Sequence, residues 1–216
     1  MNPDIKNLIL VTSHRQVDEF QIYSHFLNKT DEIRNFDLLM HVNNPDVDVY
    51  KIKNAFESIP NANKDLIFTS KNRGYKLGPH EAICDLYDRW KSYDNVIHMH
   101  SDVFIINEKA LLNIVNNNQE YSFLLSQCNL PSTMLSTDLF IFRPKLLKTN
   151  LFENYSNKEY ENSICEEFLE LEIEKNQQSH IFIKRYENGV WYPRRPCLWG
   201  CWHEHELGNI TKSQVY

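Results

Sequence analysis

The densest chemistry lies in Asn95-Val-Ile-His-Met-His-Ser-Asp-Val-Phe-Ile-Ile106, a run of strand-forming residues that delivers His100 and Asp102 to its carboxyl end. A carboxylate at such a place suits a hard divalent cation carrying a diphosphate, because that ion keeps waters and phosphate oxygens in its shell and takes few ligands from protein. One aspartate is enough. A plainer reading also fits, with Asp102 capping a turn and His98 and His100 as ordinary half-buried histidines. A second cluster, Cys197-x3-Cys201-Trp-His203-Glu-His205, stands near the C-terminus. Its Cys and His suggest zinc, yet the spacing is not that of a standard closed zinc site. Just before it, Trp191 and Tyr192 offer faces for a sugar ring, and Arg194 and Arg195 offer guanidinium groups for phosphate. The same residues would equally make a Pro-fixed loop packed on a core.

Composition limits what such a site can serve. The 216 residues carry 42% hydrophobic, 24% charged and 12% aromatic residues, values of a folded globular chain with one full-sized core. A net charge of −6 supplies no basic field for a polyphosphate backbone, which argues against nucleic acid as partner. Five cysteines, odd in number and widely spaced, predict free thiols in a reducing, cytosolic compartment rather than a disulfide framework. The only apolar run near the N-terminus, Leu8 to Val11, is too short for a signal peptide or a membrane span.

The elements that must position these residues alternate. Leu8–Thr12, Phe36–Val42, Asp65–Thr69 and Asn95–Met99 read as short strands, with helical stripes over Val17–Leu27, Val49–Ile59 and Pro79–Tyr93 between them. This pattern predicts an α/β fold with a largely parallel sheet and a ligand crevice at the carboxyl ends of the strands. Beyond Glu108 the alternation weakens. A short helix at Ala110–Val115, strands at Ser122–Leu125 and Leu139–Phe142, a long acidic helix at Lys158–Lys175 and a strand at His180–Tyr186 predict antiparallel strands added to the parallel core.

With His100-Ser101-Asp102 after the fourth strand, the chain resembles the GT-A glycosyltransferases, which use nucleotide-sugar donors and carry a D-x-D motif there. The last acid of the motif is present as Asp102, while His100 stands at the first position. The resemblance implies a Rossmann-like three-layer α/β/α sandwich around a mixed, mainly parallel sheet. It makes residues 1–216 one domain, with a donor half of about 1–106 and an acceptor and metal-closing half of about 107–216. It implies that Thr12, Ser13 and His14 after the first strand meet the nucleotide. The loop Lys71-Asn-Arg-Gly-Tyr-Lys-Leu-Gly78 would lie along the donor, with Asn72, Gly74 and Gly78 allowing close approach and Arg73 or Lys76 offsetting phosphate charge; His100 and Ser101 join that set.

The resemblance also implies a metal, Mn²⁺ or Mg²⁺, on Asp102 with His203 or His205 closing over the diphosphate. Ser136-Thr-Asp138 is similar to the strand after the acceptor loop, with Thr137 and Asp138 at its exposed beginning. Glu161–Phe168 is similar to a helix that carries an acidic pair near the acceptor, which makes Glu166 or Glu167 the candidate general base and Asp138 the rival. Throughout, the helix is acidic enough to be a solvated face instead. The expected reaction is transfer of a hexosyl or deoxyhexosyl group from a nucleoside-diphosphate sugar, UDP or GDP, to a glycan hydroxyl, in the cytoplasm of a bacterium or a virus-infected cell. Two other functions stay open: a sugar-nucleotide nucleotidyltransferase, whose Gly-rich loop after the first strand is absent from VTSHRQ, and a non-catalytic glycan- or nucleotide-binding module.

Overall fold

The first strand, β1 (Asn7–Ser13), is buried along its whole length, and this is why it reads as an uninterrupted apolar run rather than an alternating one. A computed structural model describes residues 5–13, 17–69, 80, 83–127, 135–148, 165–185 and 197–203. In it β1 pairs in parallel with β2 (Asp37–Val42) on one side and with β4 (Asn95–His100) on the other, and β2 pairs with β3 (Lys64–Phe68). The sheet continues through β7 (Leu135–Phe142), β6 (Phe123–Gln127) and β8 (His180–Lys184), in the spatial order β3-β2-β1-β4-β7-β6-β8. Only β7 opposes the rest: it is antiparallel to β4 and β6, while β6 and β8 are parallel. A separate two-stranded sheet joins β5 (Val103–Ile105) to β9 (Cys201–His203).

Alternate residues of β1 feed two apolar layers. Ile9 and Val11 face Phe20, Tyr23 and Leu27 of α1 (Val17–Leu27), Ile52 and Phe56 of α2 (Val49–Glu57), and Leu111 and Val115 of α4 (Glu108–Asn117). On the opposite face, Leu8 and Leu10 share a core with Ile83, Leu86 and Trp90, the last in α3 (Tyr87–Trp90), and with Leu169 and Ile173 of α5 (Cys165–Lys175). Helices therefore cover both faces of a mixed, mainly parallel sheet: the α/β fold that the alternation of elements predicts, in the three-layer α/β/α form that the resemblance implies. Local signals fix the helix starts. Asp48 accepts from the Lys51 amide at the head of α2, and Asn107 accepts from Ala110 at the head of α4.

Several boundaries differ from the sequence reading for identifiable reasons. The helical stripe over Pro79–Tyr93 breaks at Leu86, and Trp90 Nε1 donates to the Ile83 carbonyl that a continuous helix would bond by backbone. β7 begins at Leu135, so Thr137 and Asp138 lie inside a strand, at 1% and 6% exposure, rather than at an exposed beginning. The acidic helix is not a uniformly solvated face, since Glu172 is fully buried. The strand β9 has no counterpart in the sequence reading; three residues within an aromatic and polar tail give no periodicity to detect.

Candidate functional site

Three parts of the chain hold the turn that follows β4. The Ser101 amide donates to the Thr12 carbonyl at 2.9 Å, continuing the β1–β4 ladder one residue past the end of β4. From α1, the Tyr23 hydroxyl donates to the Val103 carbonyl at 2.6 Å and lies 3.2 Å from that of His100, so it bridges the two ends of the turn. Phe104 then packs edge-on to Tyr23, with ring centroids 5.4 Å apart, and stacks on Phe26 at 5.8 Å. The result is a turn in which Ser101 is buried while His100 and Asp102 stay partly exposed at the carboxyl end of the sheet.

The C-terminal segment comes to this turn through β9. Val103 pairs with His203, Phe104 with Trp202 and Ile105 with Cys201, so the His203 backbone sits opposite the residue that follows Asp102. The approach is set by Gly200, whose carbonyl accepts from the Ile106 and Asn107 amides, both at 2.9 Å. Gly200 has φ +72°, and a Cβ there would lie 2.1 Å from the Asn107 carbonyl oxygen. At this position the chain needs both the left-handed backbone and the missing side chain. The far end of the segment is tied to β8: the Leu198 amide donates to the Arg185 carbonyl at 2.8 Å, and Trp199 Nε1 reaches the Ile183 carbonyl at 3.4 Å. The Cys201 thiol donates to the Trp199 carbonyl at 3.7 Å; its nearness and the Arg185 charge hold the Cys197 thiol below its ordinary range, while Cys197 and burial raise Cys201.

Across β4 lies a polar group on β7 and α5. The Arg185 guanidinium, fully buried, holds both oxygens of Asp138 at 2.7 and 2.6 Å, and Ser136 also bonds to Asp138. Next to it Thr137 Oγ1 donates to Glu166 Oε1 at 2.9 Å. Glu166 is half-buried in the first turn of α5, and Glu167 is exposed. His98 ties these parts together. Its Nε2 lies 3.3 Å from Thr12 Oγ1, and its ring stands 4.6 Å from Phe140 and 5.8 Å from His100. Complete burial holds His98 well below the usual histidine range, and the neighbouring His100 and His80 push the same way.

With this geometry in place, comparison with known proteins is informative about the fold. No family model matches the chain, and no curated protein matches it in sequence. Among solved structures, it is similar to 4-diphosphocytidyl-2C-methyl-D-erythritol synthase from Anaerococcus prevotii, with TM-score 0.60 and 10% identity over 87% of this chain and 90% of that one. It is also similar to the mannosyltransferase PcManGT from Pyrobaculum calidifontis, solved in complex with GDP-Man and Mn²⁺, with TM-score 0.58 and 10% identity over 83% of this chain and 55% of that one. A third is residues 1–349 of S. aureus TarS in complex with UDP, with TM-score 0.56, 13% identity, and 83% and 60% covered. The chain has the GT-A fold.

Within this GT-A fold, Thr12, Ser13, His98, His100, Ser101 and Asp102 gather at the carboxyl ends of β1 and β4, and the His203 backbone joins them. Glu166 sits beside β7, bonded to Thr137, whereas Asp138 is committed to Arg185. His14, Asn72, Arg73, Gly74, Lys76, Gly78 and His205 lie outside the described residues, as do Trp191 to Arg195. Sequence reasoning missed Arg185, Tyr23 and Gly200. Gly200 alone carried a readable signal, as a glycine between bulky Trp199 and Cys201. Asp102 offers a hard carboxylate oxygen just past the carboxyl end of β4, a donor that fits Mg²⁺ or Mn²⁺. Among the described residues no three His, Cys, Asp or Glu side chains converge as a complete cage. No helix among them is long and apolar enough to cross a membrane.

Proposed function

We propose that this protein is a metal-dependent glycosyltransferase that moves a hexosyl or deoxyhexosyl group from a nucleoside-diphosphate sugar, with UDP or GDP as nucleotide, to a glycan hydroxyl. One observation carries the reading: the pairing of β5 with β9 brings the 200–203 segment alongside the His100–Asp102 turn, at the carboxyl end of a GT-A sheet. In this reading the whole chain, 1–216, works as one domain. Thr12, Ser13 and His14 hold the nucleoside; Asn72, Arg73, Gly74, Lys76 and Gly78 lie along the donor; His100 and Ser101 shape the floor beneath it. Asp102 and His203 or His205 hold Mn²⁺ or Mg²⁺. Such an ion, when bound, offsets charge on the departing diphosphate.

Glu166 is the favoured general base for the acceptor hydroxyl. The bond from Thr137 fixes Glu166 Oε1, and an oriented carboxylate is what proton abstraction needs. Glu167 is the second choice, and Asp138 the third, because a carboxylate whose two oxygens both accept from a buried guanidinium nitrogen is a poor proton acceptor. The similarity to PcManGT with GDP-Man and Mn²⁺, and to TarS with UDP, supports the donor class.

The test is thermal unfolding of the purified protein against UDP, GDP, CMP, dTDP and ADP, each with and without Mn²⁺. A ligand that binds only the native state raises the midpoint by mass action. Stabilisation by one diphosphate only with metal, abolished in Asp102→Ala, supports the reading. Indifference to every nucleotide, with or without metal, would overturn it. The similarity to the A. prevotii synthase favours a second reading, a nucleotidyltransferase. That activity would consume a nucleoside triphosphate and release pyrophosphate, and a pyrophosphate assay separates the two.

A further inference from the structure

Cys197 and Cys201 close a short hairpin. The Cys197 amide donates to the Cys201 carbonyl at 2.8 Å and the Gly200 amide to the Cys197 carbonyl at 2.9 Å, with Gly200 in the left-handed region. This is a three-residue loop with a glycine bulge, and it sets the two cysteines opposite each other as its closing pair. Hydrogen-bonded cross-strand partners have Cα atoms about 5.5 Å apart, inside the window of roughly 4.4–6.8 Å that a disulfide spans. Both thiols are free. Nothing in the glycosyl-transfer reading uses them.

We propose that Cys197 and Cys201 are a disulfide-forming pair, oxidised by exchange with a small disulfide of the glutathione class. In the first step the Cys197 thiolate attacks one sulfur of glutathione disulfide, forming a mixed disulfide and releasing one glutathione thiolate. The Cys201 thiolate then attacks the Cys197 sulfur, the intramolecular S–S bond forms and the second glutathione thiolate leaves. Two cysteine sulfurs lose two electrons in total, one glutathione disulfide gains them, and the two thiol protons pass to solvent or to the departing thiolates. Burial of both cysteines, at 7% and 0% exposure, means that the first attack waits on opening of the exposed turn at Leu198. The loop that the bond closes contains Gly200, whose carbonyl docks β9 on the 106–107 backbone, so the crosslink fixes the turn that presents β9.

The pair differs from the other cysteines in a way an experiment reads directly. The full-length native protein, treated with chelator to remove zinc, is equilibrated in buffers of increasing glutathione disulfide to glutathione ratio. It is then quenched with acid, alkylated, digested and mapped by mass spectrometry. The expected result is loss of two hydrogens on the peptides carrying Cys197 and Cys201. It should rise with the ratio, persist when Cys84, Cys128 and Cys165 are replaced by Ser, and vanish in Cys197→Ser and in Cys201→Ser. Full alkylation of both cysteines at every ratio, or a crosslink from either to another cysteine, would overturn the proposal. Because the deciding signal is read on the unaltered chain, failure of a variant to fold leaves the test intact. The readout is independent of nucleotide binding, so its failure and that of the glycosyltransferase reading are distinguishable.

Discussion

Gly200→Ala tests how the 200–203 segment is held against the site. The new methyl group meets the Asn107 carbonyl oxygen at 2.1 Å and the Ala110 Cβ at 3.0 Å, and φ is +72°. Left-handed backbone costs a non-glycine residue roughly 1–2 kcal/mol. Relieving the clash requires moving Gly200 away from the 106–107 backbone, which gives up two hydrogen bonds worth about 1 kcal/mol each. The expected loss is therefore about 3–4 kcal/mol, or on the order of 6–16 °C in midpoint for a chain of this size. Urea and thermal unfolding measure the loss, and hydrogen exchange at the Ile106 and Asn107 amides localises it. Gly200→Asn separates the two causes, because Asn tolerates the left-handed region better but carries the same Cβ; it should be nearly as damaging as Ala. A Gly200→Ala loss within about 0.5 kcal/mol of zero, or an Asn variant far milder than Ala, would refute the steric argument.

Asp138→Asn and Arg185→Met should each cost about 3–5 kcal/mol in urea unfolding, since each leaves a buried partner uncompensated, and the double variant Asp138→Leu/Arg185→Met should recover most of it. Glu166→Gln should leave the midpoint nearly unchanged while lowering turnover by about 10²–10⁴-fold, with the exposed Glu167→Gln close to the parent; equal loss in both would remove Glu166 as the base. Tyr23→Phe deletes one hydroxyl that touches no proposed ligand, yet it should cost about 1–3 kcal/mol by stranding a carbonyl of the turn and should weaken metal-dependent nucleotide binding. His98 binds a proton in the unfolded chain near its ordinary 6.5 but not in the fold until much lower pH. Its contribution is therefore fully present above pH 6.5 and is lost as pH falls below it, at up to about 1.4 kcal/mol per pH unit. Urea titrations from pH 7.5 to about pH 5 should show this slope in the parent and a shallower one in His98→Gln. His80, His100 and Asp138 are the other groups that act on this ring.

How much of this was readable in advance depends on how local the cause is. β1, β2, β4 and the helices α1 and α2 are set by apolar periodicity within each segment, and the sequence reading places them within a residue or two. The carboxyl-end location of Asp102 follows from the same periodicity, because a strand that ends at His100 must deliver its next residues there. Arg185 was not legible, since nothing near it in sequence announces that its partner is Asp138, 47 residues earlier. Nor was β9, whose pairing with β5 spans about half the chain. Asp138 illustrates the cost of reading a residue type without its neighbour: as an isolated acid it is a candidate base, and beside a buried guanidinium it becomes the counter-ion of an arginine.

The same long-range contacts explain why one short turn can serve as a site at all. A strand end by itself leaves the following residues free to take many conformations, and ordering each costs roughly 1–2 kcal/mol. Here that cost is met from three directions by contacts outside the turn: Thr12 on β1, Tyr23 on α1 and the β9 pairing from the C-terminal segment. None of the three contributes a carboxylate. They hold the backbone of residues 100–103 from both sides, with His100 and Asp102 half-buried, so the turn proposed to carry the metal is ordered by the fold itself. β9 differs from the other two because its segment is held by two bonds to the Gly200 carbonyl, a three-residue ladder to β5 and the ties of Leu198 and Trp199 to the 183–185 backbone. Gly200 accepts from the Ile106 and Asn107 amides directly after β5, so changes at Gly200 should reach the turn sooner than changes in the sheet core.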